Sequence, residues 1–296
     1  MISAFVHRRP WAAVLISVIF SPAMGMLYLG RGRAGLAWFF LTLAGFALLV
    51  VAAHLELLPL SLESAILLAG LAVVVGGAVH CGRTAAKLGG AVPGKWFAHW
   101  YALLAICLVS YLVPGVVRGF IWEPFNSPSS SMEPTLQVGD HFFVSKLAYS
   151  SADPQHGDLI VFLSPEDNRT NYVKRLEGLP GDRLQWQAGV LYLNGSQLRR
   201  AEVAPPLAEV PGTFYRETLP SGRSYLIREI ADDHRFDNTD VYEVPEGHYF
   251  FVGDSRDNSL DSRSILGFVP RENLIGKITL IYWNSEAQKL RFIAPD

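Results

Sequence analysis

Positions 128 to 136 read Pro-Ser-Ser-Ser-Met-Glu-Pro-Thr-Leu, three hydroxyl side chains in a row. A serine hydroxyl attacks a carbonyl effectively only when a neighbouring base takes its proton, and that base must be neutral near working pH. Histidine is the usual partner. His141, His156, His234 and His248 follow the cluster, but none lies in the segments that read as chemical. Lysine can replace it where burial among apolar groups lowers its pKa, because desolvation disfavours the charged ammonium. Lys174, in Tyr172-Val-Lys-Arg175, suits that role. In an extended strand Tyr172, Lys174 and Leu176 share one face and Arg175 points to the other, so the like charge is turned away from the amine. Each residue also has a plainer reading: the serines as a polar loop, the lysine as a solvated cation. Two further segments weigh toward chemistry, Gly178-Leu-Pro-Gly-Asp182 and Gly253-Asp-Ser-Arg-Asp-Asn-Ser-Leu-Asp-Ser-Arg263.

These segments need elements to hold them. Half of the 296 residues are apolar and 18% are charged, a hydropathy rarely needed by a water-soluble globule. Of the 25 Lys and Arg and 27 Asp and Glu, the first 121 residues hold eight and two, so a slightly basic, apolar first part joins an acidic second part. About 20 apolar residues cross the roughly 30 Å core of a bilayer. The stretches 34–53, 60–79 and 98–117 meet that length. Residues 10–30 are also uncharged but are broken by Pro22, Gly25 and Gly30, and read as a re-entrant segment or a fourth span. Arg8, Arg9, Arg31, Arg33, Arg83, Lys87 and Lys95 belong on the cytoplasmic side by the positive-inside rule, whereas the 54–59 loop has no basic residue. That pattern favours three crossings and places residues 122–296 outside the cytoplasm. The basic residues are scattered beside apolar segments, which gives nucleic acid no footprint.

Residues 122–296, acidic and large enough to bury their own core, read as β structure. Runs rich in β-branched and aromatic residues occur at 141–146, 158–163, 172–176, 190–193, 224–228, 249–252 and 277–283. Gly139–Asp140, Gly157–Asp158 and Gly181–Asp182 stand before three of them as turns. The stretch 199–245, with Pro205, Pro206, Pro211 and Pro220, reads as a less regular capping insertion. The two cysteines, Cys81 and Cys107, both lie in the apolar part, and no histidine spacing suggests zinc. The expected organisation is therefore a helical transmembrane region at 1–121 followed by a mostly-β extracytoplasmic catalytic domain at 122–296, with no metal or cofactor.

Taken together, 128–136 with Gly139–Asp140, then 172–182, then 253–263 resemble three successive boxes of the bacterial type I signal peptidases, in the family's order. The resemblance implies a membrane-bound serine endopeptidase with the signal peptidase fold, removing signal peptides after small residues in an Ala-x-Ala pattern. Position by position it implies Ser131 as nucleophile, Lys174 as general base, and Ser129 with the Ser131 N–H as oxyanion donors. It implies Ser259 as the hydroxyl that orients the amine, Asp261 and Arg263 as a supporting ion pair, and Gly253 as a site of close approach to the lysine. Pro128, Met132, Leu136, Tyr172 and Val173 would line shallow substrate pockets. Exported preproteins and the lipid bilayer are the implied partners, with the translocation machinery as a further candidate. The implied location is the bacterial inner membrane, multi-pass, with the catalytic domain periplasmic. Phe120, Trp122, Pro124 and Phe125 would meet lipid. Two positions depart from the family: Ser127, where an aliphatic residue is common, and Ser255, where asparagine is usual. A peptidase with a dedicated client, or a tethered scaffold that keeps the boxes only as structure, are the alternative readings.

Overall fold

A computed structural model of the chain describes residues 5–54, 62–206, 210–231 and 233–294. They form two compact units, Met1–Gly115 and Val116–Asp296.

In the first unit the 10–30 stretch is two short helices, Pro10–Ile19 and Pro22–Tyr28. Proline starts each one, where its missing N–H costs nothing, and the Ser21 hydroxyl caps the second by accepting from the Met24 N–H at 3.2 Å. Helices Gly32–His54 and Leu62–Leu88 follow, and both are long and apolar enough to cross a membrane. Their 23 and 27 residues span roughly 35 and 40 Å. The second runs past the expected end at 79, carrying Arg83 and Lys87 in its last turns. Leu36, Phe39, Phe40, Leu67 and Leu71 lie open on their surfaces, as side chains made for a hydrocarbon solvent would. The 98–117 stretch gives a shorter helix than expected, Trp100–Val116. A 3₁₀ turn at Trp96–Ala98 delays its start, and it widens into a π-helical turn at Val117–Ile121.

The second unit is built on a curled antiparallel sheet. Its strands lie in the order Val269–Pro270, His248–Val252, Asn171–Gly178, Leu159–Leu163, Leu274–Asn284, Asp140–Ser145 and Trp122–Asn126, and Lys289–Ile293 pairs with Leu274–Asn284 off this path. The central Leu159–Leu163 strand is buried on both faces. Leu159 and Val161 enter a core with Met132, Leu136, Phe142 and Ile278, while Ile160 and Phe162 enter a second core with Leu176 and Phe251. Register shifts along Leu274–Asn284 bend the sheet. The three Gly–Asp dipeptides do the same local work. Each glycine has φ between +81° and +86°, and each aspartate accepts the N–H three residues back: Gln137, Gln155 and Leu179.

Two small sheets complete the unit and share a core around Leu184, Trp186, Ile227 and Phe250. One orders Tyr242–Glu243, Arg183–Gln187, Val190–Leu193 and Ser196–Gln197; the other is the meander Arg199–Val203, Thr213–Thr218 and Ser224–Glu229. The supposedly irregular 199–245 stretch is thus regular over its first two thirds. The 224–228 run was legible, whereas Thr213–Thr218 hid its alternation because Glu217 is buried and ion-paired rather than apolar.

Candidate active site

Ser131 sits in the loop joining Trp122–Asn126 to Asp140–Ser145. Bonds from Ser127 N–H to the Asp140 carbonyl and from Gly139 N–H to the Ser127 carbonyl, both 2.8 Å, close its base. Met132 and Leu136 plug it into the core, at 1% and 0% exposure. Hydrophobic anchoring therefore fixes the backbone directly after the serine.

Lys174 approaches from the middle of Asn171–Gly178, and its Nζ donates to Ser131 Oγ at 2.6 Å. The lysine is 3% exposed. Burial lowers the amine pKa to about 8, with Asp261 and Asp254 pulling it back upward and Arg263 downward. Next to it, Arg175 turns to Asp254, making two 2.7 Å bonds inside a fully buried pair. Its guanidinium also lies 4.1 Å from the Tyr225 ring centre. The neighbouring cation is held by its own carboxylate, which leaves the amine to the serine.

Ser129 Oγ lies 3.2 Å from Ser131 Oγ, within reach of an oxygen bonded at the same centre. The third segment holds Ser131 from behind: the Ser255 N–H donates to the Ser131 carbonyl at 3.1 Å, and Asn258 Nδ2 donates to Ser130 Oγ at 2.9 Å. Asp261 and Arg263 form a buried pair at 2.9 Å, and Asp261 also accepts the Gly253 N–H at 3.1 Å. Burial opposes the Asp261 charge, yet Arg263 and that N–H hold its carboxyl below the ordinary range. A Cβ on Gly253 would run into the Ser259 side chain and, at 2.6 Å, the Ser131 carbonyl. The tight contact at Gly253 is thus first with Ser259 and Ser131. The amine's hydrogen bond goes to Ser131, and the buried Ser259 hydroxyl lies beside Asp261.

The pair opens on a cleft of about 620 Å³ lined by Ser127, Pro128, Met132, Tyr172 and Val173 among others. Leu136 is not in its wall but in the core beneath. On the side of the cleft, Asn171–Lys174 pairs with Leu159–Leu163 through one edge only, because His248–Val252 joins the strand from Arg175 onward. Among the described residues, four residues of strand beside the dyad thus keep an unpaired edge. The lining also includes His234, Arg235 and Phe236, which no sequence segment had singled out. His156 instead bonds Asp182 at 2.6 Å, away from the serine. Among the described residues no three His, Cys, Asp or Glu side chains converge as a metal site requires.

Residues 97–283 match the family model described as "Signal peptidase, peptidase S26". Signal peptidase I of Rickettsia canadensis (strain McKiel) is 38% identical over 199 residues, covering 58% of this chain and 75% of that protein. Its counterpart from Rickettsia akari (strain Hartford) is 36% identical over 215 residues, covering 63% and 79%. The crystal structure of a signal peptidase I from Enterococcus faecalis V583 is 30% identical over 43% of this chain and 98% of its own, with a TM-score of 0.27. With a buried lysine on a serine hydroxyl inside the matched region, this chain belongs to the signal peptidase family, peptidase S26.

Proposed function

We propose that the chain cuts signal peptides from exported preproteins after small residues, with Ser131 as nucleophile and Lys174 as general base. The observation that carries this reading is the 2.6 Å contact between a nearly dry amine and the serine hydroxyl. Neutral Lys174 takes the Ser131 proton as Oγ attacks the scissile carbonyl. Ser129 Oγ and the Ser131 N–H receive the oxyanion, each such donor being worth about 3–4 kcal/mol of barrier. The lysine ammonium then passes its proton to the leaving amine, and the neutral amine activates a water that frees the acyl group. Asp261 and Arg263 fix the third segment, and Ser259 with Gly253 lets it approach the dyad closely.

Substrate lies extended against the open edge of Asn171–Lys174, where backbone bonds supply affinity and alternate side chains enter pockets. Pro128, Met132, Tyr172 and Val173 line those pockets, and Leu136 shapes them from below. Ser127, half turned into the loop by its bond to the Ser129 carbonyl, makes this wall more polar and narrows the client range.

In the cell we place the chain in the bacterial inner membrane as a multi-pass protein, 1–121 being the membrane domain and 122–296 the periplasmic catalytic domain with its 199–245 cap. Phe120 and Trp122, 69% and 52% exposed, suit the lipid surface, and the translocation machinery would deliver substrate. The test is cleavage of a preprotein by membranes holding Ser131→Ala or Lys174→Ala at unchanged abundance. Both should be inactive; full activity in either removes the mechanism.

A further inference from the structure

One side chain outside the three boxes bridges the loop that carries Ser131 and the third segment. Arg228 is the last residue but one of the Ser224–Glu229 strand of the insertion and is 4% exposed. Its Nε and NH2 donate to Ser255 Oγ at 3.2 and 2.9 Å, and its NH1 donates to Glu133 Oε2 at 2.8 Å. Ser255 is the residue whose N–H holds the Ser131 carbonyl, and Glu133 stands two positions after Ser131, its own N–H bonded to the Ser130 carbonyl. The backbone repeats the link. Arg228 N–H donates to the Asp254 carbonyl and its carbonyl accepts from Arg256 N–H, both at 2.8 Å.

We propose that Arg228 is a positioning residue for Ser131, supplied by the insertion and matched to the serine at 255. This rests on Ser131 being the nucleophile. A planar guanidinium can bridge two acceptors in fixed directions, which a lysine cannot. Here it ties the turn after the nucleophile to the strand end that holds the nucleophile's carbonyl. The insertion is then a brace for the catalytic loop as well as a cover.

The experiment measures kcat and KM on a signal-peptide substrate with the full-length protein in detergent, for Arg228→Gln, Arg228→Lys, Ser255→Ala, Glu133→Gln, the Arg228→Gln/Ser255→Ala double variant and Ser131→Ala. Misplacing a nucleophile by a fraction of an ångström should lower kcat about 10- to 100-fold in Arg228→Gln and leave KM within about threefold. Arg228→Lys should not rescue it. The double variant should lose little more than Arg228→Gln alone, since both act on one link. The acid limb of the pH profile, set by Lys174, should stay where it is. A folded Arg228→Gln with kcat within about twofold of wild type, or a loss confined to KM, overturns the proposal. If Arg228→Gln does not fold, wild-type kcat in both Ser255→Ala and Glu133→Gln overturns it equally. An active Ser131→Ala would instead strike down the nucleophile assignment.

Discussion

At the scale of single residues the amine of Lys174, as the proposed base, should set two measurable quantities, and both favour its neutral form. As a base it must be neutral, so kcat/KM should rise as pH passes upward through about 8 and fall away below it. A rate flat from pH 6 to 9 would contradict this assignment. As a buried group it costs stability when charged. Its folded pKa is lowered from 10.5 to about 8, so the unfolded chain binds the extra proton between those values, and stability rises with pH across that window. Replacing the amine, Lys174→Met, should therefore stabilise the fold at pH 7 by on the order of 2 kcal/mol, with the gain vanishing toward pH 10.5, read from denaturant unfolding. Ser129→Ala should cost about 100-fold in kcat with KM little changed, as loss of one oxyanion donor does elsewhere. Ser131, Lys174 and the Asp261–Arg263 pair could be found in the sequence because each sits in a short recognisable string. Glu133 lay in such a string but Arg228, its partner, did not. The two meet across 95 positions, and that contact exists only once two sheets have packed. His234 was passed over for the same reason.

Elements explain what a local pattern can and cannot announce. The strands at 159–163 and 248–252 are runs of apolar residues, and their existence was plain from composition. Thr213–Thr218 was not, since its inward Glu217 shares Arg256 and the Tyr225 hydroxyl with Glu177 of the catalytic strand. Burial pushes the Glu177 carboxyl upward, Arg256 resisting and Glu217 adding to the rise. Polar joints of this kind weld the insertion to the main sheet but erase the alternation by which a strand is recognised. Charged joints also fail abruptly. Asp254→Asn or Arg175→Met, each stranding a buried partner, should destabilise by about 3–5 kcal/mol, while the double change should cost less than the two together. Additive losses in a thermal unfolding cycle would show that the pair is not the unit. Gly253→Ala should lower activity as well as melting temperature, because the added methyl has to displace Ser259 or the Ser131 carbonyl.

On the scale of the molecule, every residue assigned to the cleft lies within Val116–Asp296. That unit alone, in detergent to cover Phe120 and Trp122, should fold and process a short peptide with the full chain's pH limb and a kcat/KM within about tenfold. A well-folded but inactive fragment would mean that the first unit completes the site. The open edge beside the dyad has a further consequence. Four residues of strand extend about 13 Å, so on the proposed binding mode the enzyme would work as a short ruler, gauging a handful of backbone amides next to the cut and leaving the rest of the leader unmeasured. Peptides trimmed to that window should keep most of their turnover, whereas N-methylation at alternate positions inside it should silence them with every side chain intact.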